Sequence, residues 1–173
     1  MHPRLDQAMR QRVYPITKRI SIGQFATPDR AYHLLENGYT HVLNVSNTAS
    51  VIRASDDGFR QVVDHPVADL APIAHETAFH CLDTLHGMLG AKDSKVYVHC
   101  IACQNRSPTI LWLYLVGCEM DEDVAKALIT ERCPDAVPGH KTLVDDRIAK
   151  LVRDHGQQNF LPLPDPGILE PAY

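Results

Sequence analysis

The strongest constraint on the fold is a short loop between two apolar runs that favour different secondary structures. Residues 95–99 are β-branched and aromatic, which is typical of a strand, whereas residues 110–116 form a longer apolar run typical of a helix. Pro108 suits the first turn of that helix, because no backbone donor is needed there. The sequence therefore predicts a strand, a tight loop and a helix, with loop amides and the helix N-terminus available to an oxyanion.

This loop carries side chains suited to phosphate chemistry. It opens with His99 and Cys100, and five residues separate the Cys100 thiol from the guanidinium of Arg106. The helix N-terminus and Arg106 both favour the thiolate, so Cys100 is predicted to be a nucleophile. Arg106 could hold two phosphate oxygens bidentately, and Ser107 could donate a hydrogen bond to the sulfur as a leaving group. The alternative is that Cys100 has only a structural role, as a buried cysteine at the end of a strand.

The composition narrows the class of protein. At 173 residues and 45% hydrophobic content, the chain suits one substantial core. A net charge of -4 and a pI near 6.2 offer no general attraction to nucleic acid or an anionic membrane, and neither is expected as a partner. Five cysteines without a zinc-site pattern favour a reducing, cytoplasmic location and no metal or other cofactor. No secretion signal is evident, and the longest apolar run is too short to span a bilayer.

Strand and helix patterns alternate along the chain, which predicts a layered α/β domain. Strands are expected at residues 19–25, 41–45, 59–65 and 95–99, and helices at 28–37, 75–89, 110–116, 121–132 and 140–154.

Three segments are predicted from these elements: an N-terminal extension at 1–17, a catalytic domain at 18–155 and a proline-rich C-terminal tail at 156–173. The tail has too many prolines to continue a helix or strand, so it either packs across the surface or is disordered.

Asp69 is the candidate general acid. A departing ester oxygen needs a proton from a segment other than the Cys100 loop. Asp69 follows a predicted strand and precedes the helix that leads to the Cys100 strand, so it can overhang the end of that strand. Asp64 is the other candidate for the general acid. Alternatively, Asp69 has only a structural role and caps a turn.

With these residues in place, the chain resembles the cysteine-dependent protein tyrosine phosphatases, and within them the dual-specificity phosphatases. Residues 99–107 match the signature His-Cys-x5-Arg-Ser/Thr, Asp69 falls about where dual-specificity members place their acid, and residues 40–45 look like their early core strand. The resemblance covers about residues 20–151. It implies a single-domain protein tyrosine phosphatase-like fold, with a central sheet of about four or five mostly parallel strands flanked by helices.

The resemblance also implies roles for individual residues. Cys100 would attack phosphorus in line, and Asp69 would protonate the leaving group and then activate water. His99 would support the nucleophile, and Ser107 would assist departure of the sulfur. Phosphate oxygens would be bound by the loop and its arginine: Ile101, Ala102, Cys103, Gln104, Asn105 and Arg106.

Cys103 departs from the family pattern, which usually has glycine at this position. In a loop whose amides point inward, side chains radiate outward, so Cys103 should face the packing around the loop. One hypothesis is that Cys103 has no special function and is tolerated there because it is small. The other is a disulfide between Cys100 and Cys103 under oxidant, which would protect the nucleophile from irreversible oxidation.

The expected substrate is a phosphorylated protein or peptide, carrying phosphotyrosine and also phosphoserine or phosphothreonine. The loop side chains are uncharged, which disfavours inositol lipids, and Arg53 or Arg60 is expected to flank the entrance. Asn105 before the arginine is similar to the RNA 5'-triphosphatase branch, but the histidine of those enzymes is Ala102 here. RNA 5'-triphosphatase or other non-protein phosphate hydrolysis therefore stays an alternative.

Two non-hydrolase alternatives stay open as well. A silent phosphate-binding module would be expected to lack the nucleophile, acid or arginine, and all three are present. A thiol oxidoreductase using Cys100 and Cys103 would leave Arg106, Ser107 and Asp69 without roles. A monomer is the default oligomeric state.

Overall fold

The computed structural model describes residues 10–173, which form a five-stranded sheet with helices on both faces. The strands are β1 (Val13–Pro15), β2 (Ile20–Gly23), β3 (His41–Asn44), β4 (Gln61–Asp64) and β5 (Val96–His99). This confirms the predicted α/β fold class with a mostly parallel sheet.

The sheet has the order β1-β2-β5-β3-β4, so β5 lies at its centre. β2 and β3 both pair with β5 in parallel, β4 pairs in parallel with β3, and β1 is an antiparallel edge strand. All four residues of β5 are buried, as expected for an interior strand covered on both faces. Cys100, which follows β5 directly, is thus placed at the carboxyl edge of the sheet, where open α/β sheets bind ligands.

Six α-helices lie wholly within the described residues: α1 (Pro28–Glu36), α2 (Ala54–Asp57), α3 (His75–Gly90), α4 (Arg106–Gly117), α5 (Glu122–Arg132) and α6 (Ile148–Asn159). Alternate residues of β5 pack on opposite faces of the sheet. Val96 and Val98 join the core formed with α3, α4, α5 and α6, whereas Tyr97 faces a smaller cluster that includes residues of α1. The sheet is therefore the middle of three layers.

Helix α4 is the central element of the larger layer. Every residue from Arg106 to Gly117 is buried, and the helix packs against α3, α5, α6, β2 and β5. Its last residue, Gly117, lies so close to α6 that a Cβ at Gly156 would be 1.8 Å from the Gly117 carbonyl oxygen. Helix α4, which begins at the Cys100 loop, is thus fixed by close backbone packing at its far end.

The predicted helix at 140–154 is wrong in its limits, because α6 begins at Ile148 and continues to Asn159. Local hydrogen bonds in turns compete with helix formation before Ile148. The side chain of His140 accepts from the backbone N–H of Thr142, and the Asp145 carboxylate accepts from the N–H of Arg147.

Both segments outside residues 18–155 contribute to the sheet or the core. β1 lies within the predicted N-terminal extension, whose first nine residues are outside the described part. In the tail, Phe160 and Ile168 are buried, and Asp165 bonds Arg19 at 2.9 Å, so these residues pack on the domain. The limits at 18 and 155 stay a prediction. Within residues 10–173, no helix has the length and apolar character that crossing a membrane requires.

We expect Gly156→Ala to destabilise the protein by about 2 kcal/mol or more, because the added methyl group must push α6 away from α4. Gly87→Ala is the matched control: Gly87 is also helical, a Cβ there meets nothing within 4 Å, and a gain of about 0.5–1 kcal/mol is expected. Urea unfolding of both variants measures the difference. Equal stabilities would contradict the inferred contact between Gly117 and Gly156.

Candidate active site

The candidate site is built where β5 ends and α4 begins. Residues 100–105, here called the Cys100 loop, connect the two elements, and α4 starts at Arg106 with Asn105 as its N-cap residue. The predicted order of strand, tight loop and helix is therefore present. The loop lies at the carboxyl edge of the central strand and in the positive field of a twelve-residue helix.

Cys100 lies in the floor of this loop with 2% of its surface exposed. The hydroxyl of Ser107, in the first turn of α4, is 3.3 Å from the Cys100 sulfur, which is within hydrogen-bond distance for sulfur. Because a thiolate can only accept, Ser107 would donate to it in the ionised state. The structure therefore brings together the two residues that the sequence assigned to nucleophile and leaving-group aid.

Arg106 is buried, and its guanidinium joins three segments. Its Nη1 donates to the Asn47 side-chain carbonyl at 2.9 Å and to the Val67 backbone carbonyl at 3.0 Å. Its Nε lies 4.0 Å from Oδ1 of Asp69, beyond hydrogen-bond distance, and has no hydrogen-bond partner among the described residues. A buried N–H without a partner, in the first residue of a helix, is suited to an incoming oxyanion.

Asp69 occupies the tip of residues 67–72, here called the Asp69 loop. Oδ1 of Asp69 accepts from Nδ2 of Asn105 at 3.2 Å and from the backbone N–H of Leu70 at 3.0 Å. The Asp69 side chain is 40% exposed. Buried Val67 and Ile73 flank the tip. The candidate acid is thus next to the Cys100 loop and accessible from solvent.

Asp64, the competing acid, takes part in a different network. Oδ2 of Asp64 accepts from the backbone N–H of Ser50 at 3.0 Å, and Oδ1 accepts from the Ser50 hydroxyl and from Nδ2 of Asn44. Burial tends to raise the pKa of Asp64, but the hydrogen bonds from Ser50 outweigh this and lower it. Asp64 is therefore held as an ionised anchor for the turn after β3.

His99 is fully buried beside the nucleophile. Its Nδ1 is 3.0 Å from the Cys100 carbonyl oxygen, which requires Nδ1 to donate. Burial lowers the pKa of His99 to about 4, although the bond to Cys100 and the charge of Asp64 oppose this shift. Phe25 lies edge-on to the ring, with centroids 5.1 Å apart. A neutral His99 thus supports the backbone where β5 enters the loop.

Cys103 faces the core, as its predicted outward direction implies. Its backbone is left-handed with φ of 58°, a conformation that glycine adopts without strain. The Cys103 sulfur lies 4.0 Å from the sulfur of Cys133 and 3.7 Å from the hydroxyl of Ser107. Burial raises the pKa of Cys103 well above the ordinary thiol range, so it is protonated at neutral pH. Its role as a redox partner of Cys100 stays a prediction.

Sequence reasoning missed Asn47 and the Val67 carbonyl as partners of Arg106. Asn47 follows β3 in a polar stretch, and its place just after an interior strand was the available signal. The expectation for Arg60 was wrong: Arg60 precedes β4 and bonds the Lys92 carbonyl at 2.7 Å, which places it at the amino edge of the sheet. Arg53 is exposed in the segment that follows Asn47.

The fold is that of known dual-specificity-type phosphatases. One similar structure, titled PTPMT1 in complex with PI(5)P, has a TM-score of 0.69 and 15% identity over 85% of this chain and 97% of that one. A mouse putative dual specificity phosphatase complexed with zinc tungstate has a TM-score of 0.66 and 18% identity over 87% and 89% of the two chains.

A third similar structure is the human tyrosine phosphatase-like serine/threonine/tyrosine-interacting protein, with a TM-score of 0.64 and 18% identity over 84% of this chain and 96% of that one. No protein-family model and no curated protein sequence matches the chain. These likenesses show the fold, and the chemistry rests on the residues of the site. No cluster of three or more potential metal ligands is found within residues 10–173.

We expect His99 to make stability depend on pH between about 6.5 and 4. Its folded pKa of about 4 lies below the ordinary histidine value of 6.5, so its stabilising contribution is complete above pH 6.5 and is lost as the pH falls through 4. Chemical unfolding at pH 7 and pH 4.5 should show a smaller loss in His99→Asn than in wild type, by up to about 3 kcal/mol. Equal losses in both proteins would refute this.

The redox hypothesis is tested by labelling Cys100 after peroxide treatment. Peroxide would convert the Cys100 thiolate to a sulfenic acid, and the Cys103 thiol would displace water to form the disulfide, which dithiothreitol reduces. In Cys103→Gly, a second peroxide would oxidise the unprotected sulfenic acid to a sulfinic acid, which dithiothreitol cannot reduce. With peroxide in excess, we therefore expect dithiothreitol to restore iodoacetamide labelling of Cys100 in wild type and in Cys133→Ala, but not in Cys103→Gly. Recovery in Cys103→Gly equal to that in wild type would eliminate this pairing, and failure in Cys133→Ala alone would assign the protection to Cys133.

Proposed function

We propose that the protein is a phosphate monoester hydrolase that uses Cys100 as a covalent nucleophile. The observation that carries this is the buried guanidinium of Arg106, whose Nε is without a hydrogen-bond partner among the described residues, at the helix N-terminus that directly follows the Cys100 loop. A helix N-terminus and a guanidinium both select a dianionic phosphate. Asp69 and Ser107 supply the two remaining functions of a cysteine-based phosphatase.

In the first step, the Cys100 thiolate attacks phosphorus. The S–P bond forms and the P–O bond to the leaving group breaks in line with it. Loop amides and Arg106 stabilise the three equatorial oxygens, while Asp69 transfers its proton to the departing oxygen. The products of this step are an alcohol or phenol, a phosphocysteine and an ionised Asp69.

In the second step, water hydrolyses the phosphocysteine. The Asp69 carboxylate takes a proton from water, the new O–P bond forms, and the S–P bond breaks with its electron pair returning to Cys100. Ser107, 3.3 Å from that sulfur, donates a hydrogen bond to the emerging thiolate. Inorganic phosphate leaves, and the protonated Asp69 is ready for the next cycle.

Phosphotyrosine in a protein or peptide is the proposed substrate, with phosphoserine and phosphothreonine as secondary substrates. Ile101 and Leu70, which follow the nucleophile and the acid in sequence, are 41% and 61% exposed. These apolar side chains suit the aromatic ring of a phosphotyrosine better than a polar headgroup. The side chains at 101, 102, 104 and 105 are uncharged, so additional phosphates of an inositol lipid would meet no basic partner in this loop.

The proposal also covers the location of the protein, the limits of its catalytic domain, its oligomeric state and its need for a cofactor. A cytoplasmic location is proposed because all five cysteines are free thiols. Residues 18–155 are proposed as the catalytic domain, acting as a monomer and requiring no cofactor.

The proposal predicts hydrolysis of p-nitrophenyl phosphate in the presence of EDTA, with inhibition by vanadate. Cys100→Ser should abolish turnover, and Arg106→Lys should reduce kcat/KM by about 100-fold, because an ammonium cannot form the bidentate contact.

Asp69→Asn should reduce kcat/KM for phenyl phosphate by about 100-fold or more and for p-nitrophenyl phosphate by less, since the better leaving group needs little proton transfer.

Asp64→Asn is the matched control for the acid, and it should retain the leaving-group dependence of wild type. Activity of Cys100→Ser equal to wild type would refute the nucleophile. An inactive wild type that still binds phosphopeptide would instead identify a binding module. A parallel panel of phosphopeptides, phosphoinositides and triphosphate-ended RNA identifies the substrate class.

A further inference from the structure

Asn105 sits at the N-cap of α4 but does not use its side chain as a cap. Asparagine at this position commonly accepts a hydrogen bond from the second or third helical N–H, with extended backbone angles. Here the backbone angles are φ -115° and ψ -60°, and no side-chain capping bond is formed. The Asn105 amide instead crosses to the Asp69 loop and donates to Oδ1 of Asp69 at 3.2 Å. The side chain of Asn105 thus bonds the candidate acid and leaves the helix N-terminus uncapped.

Among the described residues, hydrogen-bond donors converge on only one of the two Asp69 oxygens. Oδ1 receives the Asn105 amide and the Leu70 N–H, and Nε of Arg106 lies 4.0 Å from the same atom. A protonated carboxyl carries its hydrogen on the oxygen that is not already accepting hydrogen bonds. The proton of Asp69 is therefore directed to Oδ2.

The tip of the Asp69 loop has little burial to hold it in place. Buried Val67 and Ile73 anchor its ends, whereas Asp69 and Leu70 are exposed and Leu70 has a left-handed φ of 53°. The side-chain amide of Asn105, the residue directly before Arg106, holds this tip through its hydrogen bond to Asp69. A carboxyl held this way keeps a fixed direction relative to the bound phosphate, which is the requirement for efficient proton transfer.

We propose that Asn105 is the positioning residue for the general acid, an inference that rests on the proposed hydrolase function. As Oδ2 gives up its proton to the leaving oxygen, negative charge develops on the carboxylate and the hydrogen bond from Asn105 to Oδ1 becomes charge-assisted. Asn105 would therefore assist only the steps in which Asp69 acts. Its backbone amide would still serve the phosphate when the side chain is removed.

The test measures kcat/KM of Asn105→Ala for phenyl phosphate and p-nitrophenyl phosphate. We expect a loss of about 10-fold for the poor leaving group, as for a lost hydrogen bond to a charged group, and a clearly smaller loss for the good one. Asn159→Ala is the matched control, because Asn159 is exposed at the end of α6, outside the candidate site, and its side-chain amide also donates a hydrogen bond, to the His155 backbone carbonyl at 2.8 Å. This control should keep both wild-type values.

Two further measurements separate positioning from a structural role. In the Asp69→Asn background, Asn105→Ala should cause no further loss for phenyl phosphate, because the acid it positions is absent. Inhibition by inorganic phosphate should be unchanged in Asn105→Ala, since the Cys100 loop keeps its amides and Arg106. If Asn105→Ala folds poorly, Asn105→Ser replaces it, because serine is a favoured N-cap residue but is too short to reach Asp69; the same loss for phenyl phosphate is expected.

Equal losses for both substrates, additive losses in the Asp69→Asn background, or weaker phosphate inhibition would overturn the positioning role while leaving the hydrolase intact. A wild-type protein without activity on either ester would overturn the proposed function itself, and the acid role with it. The two failures are distinguished by the wild-type rates alone.

Discussion

The burial of Arg106 is the constraint on which the site depends. A guanidinium can be removed from water only where oxygens surround it, because an unpaired buried cation is very unfavourable. Asn47 and the Val67 carbonyl supply two of these oxygens to Nη1. They come from segments that follow β3 and β4, so a single side chain fixes both segments against the start of α4. Nε has no hydrogen-bond partner among the described residues and lies 4.0 Å from Oδ1 of Asp69, so an oxyanion bound there would complete its hydrogen bonds.

Close packing far from the site maintains this arrangement. Helix α4 is buried along its whole length, and the carbonyl of Gly117 lies against Gly156 of α6. Protein interiors respond to added volume by shifting whole elements, so a displacement at Gly117 would also move Arg106 at the other end of the helix. The glycine pair and the candidate site therefore lie at the two ends of one rigid element.

Sequence reasoning succeeded where local pattern decides the structure. The β-branched run before Cys100, Pro108 in the first helical turn and the thiol-to-arginine spacing are all local, and they predicted the loop and its surrounding elements. Partners of Arg106 could not be predicted in this way, because Asn47 is 59 residues away in a polar stretch without periodicity. The start of α6 was missed because side chains such as Asp145 satisfy turns that compete with a helix.

Cys103 shows how the loop accommodates a side chain at a position with a left-handed backbone. Glycine is favoured where φ is positive, and a side chain there costs about 1–2 kcal/mol in strain. The Cys103 side chain leaves the loop on its outer side and is buried against Cys133 and Ser107, and this packing offsets the strain. The Cys103 thiol thus packs on the core side of the loop. The substitution therefore changes the support of the loop, and the same contact with Ser107 connects that support to the nucleophile.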